Sequence, residues 1–224
     1  MANVVTWNMQ GSNWTSDFKW YTGIGNLFAH GADIICLQEC GSPPASAVHV
    51  WQSPLDPQLH IFQWGTPRTL KYILFYHWDL HGNRVNMAIV TRLPIAAANV
   101  LPVLYPAMGA VWRPAIGITI GGLCYYTLHA ISPGGADAAG LLGAIAGVAP
   151  ATAIVAGDYN QAPVAMLGGM FNCPPNGPTH STRVMHPANT YDYIHSNVGL
   201  IANAVGMVVG GLIASDHYPV AYAL

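Results

Sequence analysis

The chain has 224 residues, 52% of them hydrophobic and only 7% charged, with a formal net charge of −2. That balance excludes an intrinsically disordered chain, and the length is enough for one domain with a large core. Lys19 and Lys71 are the only lysines and there is no basic run, so any nucleic-acid contact must work without a large positive field.

The N-terminus has no basic flank and no long apolar stretch, so no signal peptide is visible. The first strand is expected at Val4–Asn8, followed by a helix over Thr15–His30. That helix carries an apolar stripe at Phe18, Tyr21, Ile24, Leu27 and Phe28 and is closed by Gly31. Its internal Gly23 and Gly25 argue against regularity. Trp7, Trp14 and Trp20 read as packing residues rather than a base-stacking platform. A strand at Ile34–Gln38 ends on Glu39, the sole glutamate.

Further strands are expected at Lys71–Phe75, Asn86–Thr91, Ala115–Ile120, Tyr125–His129, Ala153–Ala156 and Val220–Ala223. His81-Gly82-Asn83 and Gly121-Gly122 read as hairpin turns. His77 and His81 have a metal-like spacing, but in a turn. A second helix is expected over Ala136–Val148, before Pro150. Residues Cys173–Asn189 lack periodicity and read as a long surface loop of the kind that often carries function. His30, His49, His60, His180, His186 and His195 read as surface or satisfied polar residues. The runs 138–156 and 198–213 are too rich in Gly and Ala for a membrane span. Cys36, Cys40, Cys124 and Cys173 match no zinc pattern. They read as buried thiols, with a Cys40–Cys173 disulfide left open.

Polar clusters close several of these apolar runs: Asn8, Glu39, Arg113, His129, Asp158 with Asn160, Asp192, and Asp216-His217. Phosphodiester cleavage needs a hard cation, a base for water, and donors to the non-bridging oxygens. Glu39 is the first-choice metal ligand, with Asn8 and Asp216 beside it. Mg²⁺ suits such oxygen donors, with Mn²⁺ and Ca²⁺ as alternatives. His217 has the proton affinity of a general base at neutral pH. Asp158 can orient water or serve the leaving oxygen, and Asn160 can donate to a phosphate oxygen; the bland alternative is an Asx turn. Arg113 and His129 suit phosphate binding or the leaving group, with an acid role for His129 left open. Arg84, Arg92, Arg113 and Arg183 are the cations available to a phosphate backbone.

The motifs Thr6-Trp7-Asn8-Met9-Gln10-Gly11-Ser12, Gln38-Glu39-Cys40-Gly41-Ser42-Pro43, Val85–Val90, Arg113–Ile118, Gly134–Ala138, Gly157-Asp158-Tyr159-Asn160, Asp192-Tyr193 and Ser215–Val220 occur in that order. Together they resemble the DNase I-like endonuclease/exonuclease/phosphatase superfamily, and more narrowly the B subunit of the cytolethal distending toxins. The resemblance implies an α+β fold, a four-layer α/β/β/α sandwich of two packed mixed sheets flanked by helices, in a single domain 1–224. It implies a Mg²⁺-dependent DNase, a secreted toxin acting in a host cell and its nucleus, and delivery partners that attach to the cell surface. It assigns Asp192 as the acceptor that orients His217. It also admits a phosphoinositide phosphatase or a sphingomyelinase-like hydrolase on the same site, although the scarcity of Lys and Arg disfavours a phosphoinositide. A non-catalytic toxin component is the alternative of another class. One departure stands out: DNase I has a further glutamate paired with the histidine that resembles His129. Here no second glutamate exists, and Asp79, in a hairpin, is a poor substitute.

Overall fold

The computed structural model describes residues 2–11, 18–106, 112–181, 187–198, 206–208 and 215–224. Two sheets pack face to face. The first contains β1 (Asn3–Asn8), β2 (Ile34–Gln38), β3 (Val48–Gln52), β4 (Leu59–Trp64), β5 (Lys71–Tyr76), β6 (Met87–Thr91), β15 (Met207–Val208) and β16 (Val220–Ala223), in the order β15-β16-β1-β2-β6-β5-β4-β3. The second contains β7 (Ile116–Ile120), β8 (Leu123–His129), β9 (Ala153–Asp158), β10 (Met166–Leu167), β11 (Met170–Cys173) and β14 (Asp192–Ser196), in the order β10-β11-β14-β9-β8-β7. A small pair, β12 (His180–Ser181) with β13 (Pro187–Asn189), stands apart.

Burial explains the layering. Every residue of β2, β6 and β9 is buried, as expected for strands covered on both faces. Ile34, Ile61, Leu74, Ile89, Ile118, Ile154 and Ile194 fill the core between the sheets. On the outer side of the first sheet lies helix α1, π-wound over Lys19–Ile24 and α-helical over Gly25–Ala29. It buries Trp20, Ile24 and Leu27 against Trp7, Ile35 and Val90. On the outer side of the second sheet, α2 (Ala138–Val148) buries Leu141, Leu142 and Ile145 against Leu128 and Val155. The result is the four-layer α/β/β/α sandwich.

The α1 glycine at 23 has a packing reason: a Cβ there would approach the Trp7 ring to 2.7 Å. The cap residues expected at Thr15 and Ser16 lie outside the described residues, while Gly31 ends the helix with φ +94. Gly121 and Gly122 take φ +59 and +80, as a tight hairpin turn requires.

One expectation needs correction. The segment Cys173–Asn189 is not structureless, because β12 and β13 pair within it and Thr179 and Ser181 are buried. Asp192 is the first residue of a buried strand. All four cysteines are buried thiols, as expected, and the Cys40–Cys173 disulfide left open does not form: Cys40 lies in the outer core and Cys173 between the sheets. No helix among the described residues is long and apolar enough to cross a membrane.

Candidate active site

Parallel pairing aligns the strand ends that carry the polar residues. Asn8 on β1 sits beside Gln38 on β2, and His129 on β8 beside Asp158 on β9. Antiparallel β14 places Asp192 directly opposite Asp158. Three residues just past these ends, Gln10, Glu39 and Asn160, take left-handed φ values of 46, 46 and 50. Such backbone costs on the order of 1 kcal/mol or more in a non-glycine residue and concentrates at functional sites. Gly11 lets the first two ends come together, because a Cβ there would run into the carbonyl oxygen of Glu39.

Asp158 lies at the centre and is 1% exposed. Its Oδ2 accepts from Asn8 Nδ2 at 2.9 Å and lies 3.6 Å from His129 Nε2 and 3.8 Å from His217 Nε2. Its Oδ1 accepts from Asn160 N–H at 2.8 Å, so the Asx turn is present within the site. Burial, then the nearby Asp192 charge, pushes the Asp158 carboxyl well above the usual range.

His217 Nδ1 lies 2.8 Å from Asp192 Oδ2, while its Nε2 faces Asp158 and, at 3.9 Å, Asp216 Oδ1. Burial works to lower its proton affinity. Asp192, Asp158 and Asp216 outweigh burial and push the value up to about 10. The surrounding negative charge sets that value, so neutralising these carboxylates lowers it.

His129 is set differently. Its Nδ1 lies 2.9 Å from Arg113 Nη1, and Arg113 Nη2 donates to Ala130 O at 3.0 Å. A guanidinium cannot accept, so Nδ1 is the acceptor and Nε2 carries the proton. Burial, followed by the Arg113 charge and then that of His217, holds His129 well below the ordinary histidine range. Asn160 Nδ2 donates to the same Ala130 carbonyl at 2.9 Å.

Glu39 Oε1 stands 3.7 Å from His129 Nε2 and 3.5 Å from Asn8 Nδ2, with the side chain 19% exposed. Asn8 Oδ1 accepts from Gln10 N–H at 2.9 Å, so it could offer a cation only its second lone pair. Two tight donor clusters occur among the described residues, Asp158/Asp192/His217 and His180/Asp216/His217, and neither contains Glu39. Glu39 stands across Asn8 from them. Asp192 Oδ1 is buried with no partner among the described residues. Among the proposed ligands, Glu39 Oε1 has only the long contacts of 3.5 and 3.7 Å, and a weakly satisfied carboxylate oxygen of this kind fits a hard cation.

Sequence reasoning missed several contributors. Gln10 reaches Asp216 Oδ2 through Nε2 at 2.9 Å and accepts from Asp216 N–H. Lys19 is buried and donates to the carbonyls of Met9 and Gln10, tying down the β1 end. Ser215 Oγ donates to Asn8 O, and Trp7 Nε1 to His217 O. His180, expected on the surface, forms a bridge with His217, their ring centroids 4.5 Å apart. Gln10 and Ser215 lay inside recognisable motifs; nothing in the sequence marked His180. Arg92, by contrast, is not at the site. It follows Thr91, which pairs with Ile34 at the opposite end of β2 from Glu39, and it bonds Phe28 O. Arg183 lies outside the described residues.

The family model described as Endonuclease/Exonuclease/phosphatase family matches residues 5–217. A Salmonella typhi protein, named as a homolog of the cytolethal distending toxin B subunit, is 30% identical, the match covering 98% of this chain and 88% of that protein. The structure is similar to the cytolethal distending toxin of Haemophilus ducreyi, with TM-score 0.85 and 28% identity over 99% of this chain and 97% of that one. It is similar to that of Actinobacillus actinomycetemcomitans to the same TM-score of 0.85, at 29% identity and the same coverage of 99% and 97%. With its two-sheet sandwich and converging strand ends, the chain belongs to the endonuclease/exonuclease/phosphatase family, among the relatives of the cytolethal distending toxin B subunit.

Proposed function

We propose that residues 1–224 act as one divalent-metal-dependent phosphodiesterase domain whose substrate is DNA. The observation that carries this reading is the convergence of both imidazole Nε2 atoms on Asp158 Oδ2, with Glu39 3.7 Å from one of them. Glu39 and Asp216, with the remaining lone pair of Asn8 Oδ1, would hold Mg²⁺, or Mn²⁺ or Ca²⁺ in its place. Bound there, the cation supplies charge stabilisation for the phosphorane oxygens. A cation held there would also offset the carboxylate charge that raises the proton affinity of His217, leaving its Nε2 free to take the proton of the attacking water. Asp192 fixes the ring through Nδ1 and stabilises the imidazolium that forms, as in other oriented histidine bases. His129 donates from Nε2 to a phosphate or leaving oxygen without itself changing charge. Asp158 orients the water. Arg113 and Asn160 line the phosphate side, and both are held by the Ala130 carbonyl. Likeness to the toxin structures supports secretion, delivery by companion proteins and action inside a host cell, including its nucleus.

The test is plasmid nicking with and without Mg²⁺, alongside His217→Ala. The variant is expected to lose about 10²–10⁴ in rate from the general-base contribution. Undiminished nicking by His217→Ala removes the base assignment. Turnover of phosphoinositide micelles with no nicking of DNA removes the substrate assignment and leaves the hydrolase.

A further inference from the structure

His180 is the one member of the two donor clusters that the phosphodiesterase reading does not use. Backbone pairing brings it to the site. It forms an antiparallel bridge with His217, flanked by Ser181 N–H donating to Asp216 O at 2.8 Å and Tyr218 N–H donating to Thr179 O at 2.7 Å. His180, Asp216 and His217 are thereby gathered so that one donor atom of each lies within 4.8 Å of the others. His180 Nε2 is 3.8 Å from Asp216 Oδ2, and His217 Nε2 is 3.9 Å from Asp216 Oδ1.

Each donor is set for a cation. Asp192 Oδ2 accepts from His217 Nδ1 at 2.8 Å, so in the neutral ring Nε2 presents its lone pair. A carboxylate behind the second ring nitrogen is the common support of a ligating histidine. Gln10 Nε2 takes up Asp216 Oδ2, leaving Oδ1 with only a 3.5 Å contact from Ser215 Oγ. Burial, and then the His217 charge, lowers the proton affinity of His180, which favours the uncharged ring that a metal needs. His180 stacks on Tyr191. Its Nδ1 has no partner among the described residues and its Nε2 stands beyond hydrogen-bond reach of Asp216, so the ring can slide in its plane. Zinc bonds of about 2.0–2.2 Å at a tetrahedral angle put two donors about 3.3 Å apart, so each imidazole–carboxylate pair closes by about 0.5 Å on binding. Access separates this set from Asp158/Asp192/His217, whose members are all buried: the His180 and Asp216 side chains are 18% and 36% exposed.

We propose that His180 Nε2, one Asp216 oxygen and His217 Nε2 bind a zinc-class divalent ion, and that this ion blocks the hydrolase. Two imidazoles favour such ions, whereas Mg²⁺ selects oxygen. The bound ion occupies the Nε2 lone pair that would take the proton of water, and it draws Asp216 away from Mg²⁺. The blockade rests on the reading of His217 as the base; the binding site does not.

The experiment is equilibrium dialysis of tag-free protein against Zn²⁺ in a large excess of Mg²⁺, with Co²⁺ absorption as a second readout and plasmid nicking alongside. The expected result is one equivalent of Zn²⁺ that His180→Asn and Asp216→Asn each lose and that Glu39→Gln, outside both donor clusters, keeps. Metal-free melting temperatures check that the variants fold. Asp192→Asn weakens the acceptor behind His217 and should cost about 10–100-fold in zinc affinity. Wild-type nicking should fall in step with zinc occupancy, while His180→Asn, set against its own zinc-free rate, resists the same zinc concentration. Equal stoichiometry in wild type and His180→Asn, or loss of the equivalent in Glu39→Gln, overturns the site. Unchanged affinity in Asp192→Asn removes His217 from the ligand set. Full nicking at full zinc occupancy overturns the blockade. Dialysis involves no turnover, so a wild type that nicks DNA with no metal at all or with none tested removes the hydrolase reading and leaves the zinc stoichiometry to decide the site.

Discussion

Arg113 Nη1 lies 2.9 Å from Nδ1 of His129, the place where an acid would orient a catalytic imidazole in DNase I-like sites. A cation there reverses the electrostatics. It disfavours imidazolium, fixes the Nε2–H tautomer and aims that proton toward Glu39 and Asp158. In the proposed mechanism His129 therefore serves as a neutral donor rather than an acid, which needs no second glutamate. Arg113→Met leaves Nδ1 without its partner. The expected cost is about 10²–10³ in kcat, the usual loss for one preorganised donor. Nitrogen NMR should show His129 leaving the single Nε2–H form. Full activity with an unchanged tautomer would release Arg113 from this role.

Most of the sandwich was legible because its central strands are continuous apolar runs. Ile34–Gln38 and Val220–Ala223 appear with the expected bounds. Val48–Gln52 and Leu59–Trp64 were missed because His49, His60 and the glutamines break the apolar pattern on an exposed edge strand and its half-buried neighbour. Asp192–Ser196 was missed because Asp192, His195 and Ser196 are polar, yet all five residues are buried. The site residues were legible as motifs, but their partners were not. Only the fold brings Arg113 to His129, Gln10 to Asp216, or His180 to His217, since nothing local in the sequence encodes contacts across such separations.

With DNA as the proposed substrate, the scarcity of cations sets the expected salt dependence of binding. Arg113 is at the site, and Arg84 lies against the β1 end, its Nε donating to Gly11 O at 3.2 Å. Arg92 is at the wrong end of the sheet. With about two phosphates neutralised, log affinity against log salt should fall with a slope near −2. A slope steeper than about −5, measured by fluorescence anisotropy with catalytically dead protein, would mean a cationic surface that these residues do not provide.

His195 carries a pH signature in stability. It is fully buried beside the stacked Tyr159 and Tyr193 rings, and neither ring nitrogen has a partner among the described residues. Burial lowers it to about 4. Between pH 6.5 and 4 the unfolded chain therefore binds a proton that the folded chain excludes, so stability falls as pH falls. This group alone should account for about 3 kcal/mol across that window. His195→Phe removes the titration, and its unfolding free energy should lose that part of the acid slope. Identical slopes in the two proteins, read by urea denaturation at several pH values, would mean that His195 is not held neutral by burial.

Thr179 links the β12 segment to His217, the proposed base. Its Oγ1 accepts from the N–H groups of both Tyr191 and Asp192, each at 3.0 Å, and the residue is fully buried. Its carbonyl accepts from Tyr218 N–H, next to His217. One side chain thus fixes where β14 begins, and with it the Asp192 carboxylate that orients His217. Thr179→Val has the same shape but leaves the buried Asp192 N–H unpaired, at about 1–3 kcal/mol, together with the part-buried Tyr191 N–H. Thr179→Ser keeps the oxygen. The expected pattern is a fall in kcat with KM little changed for valine, and near-wild-type kcat for serine. If valine lowers only the melting temperature and leaves kcat intact, Thr179 holds the segment in place without positioning Asp192.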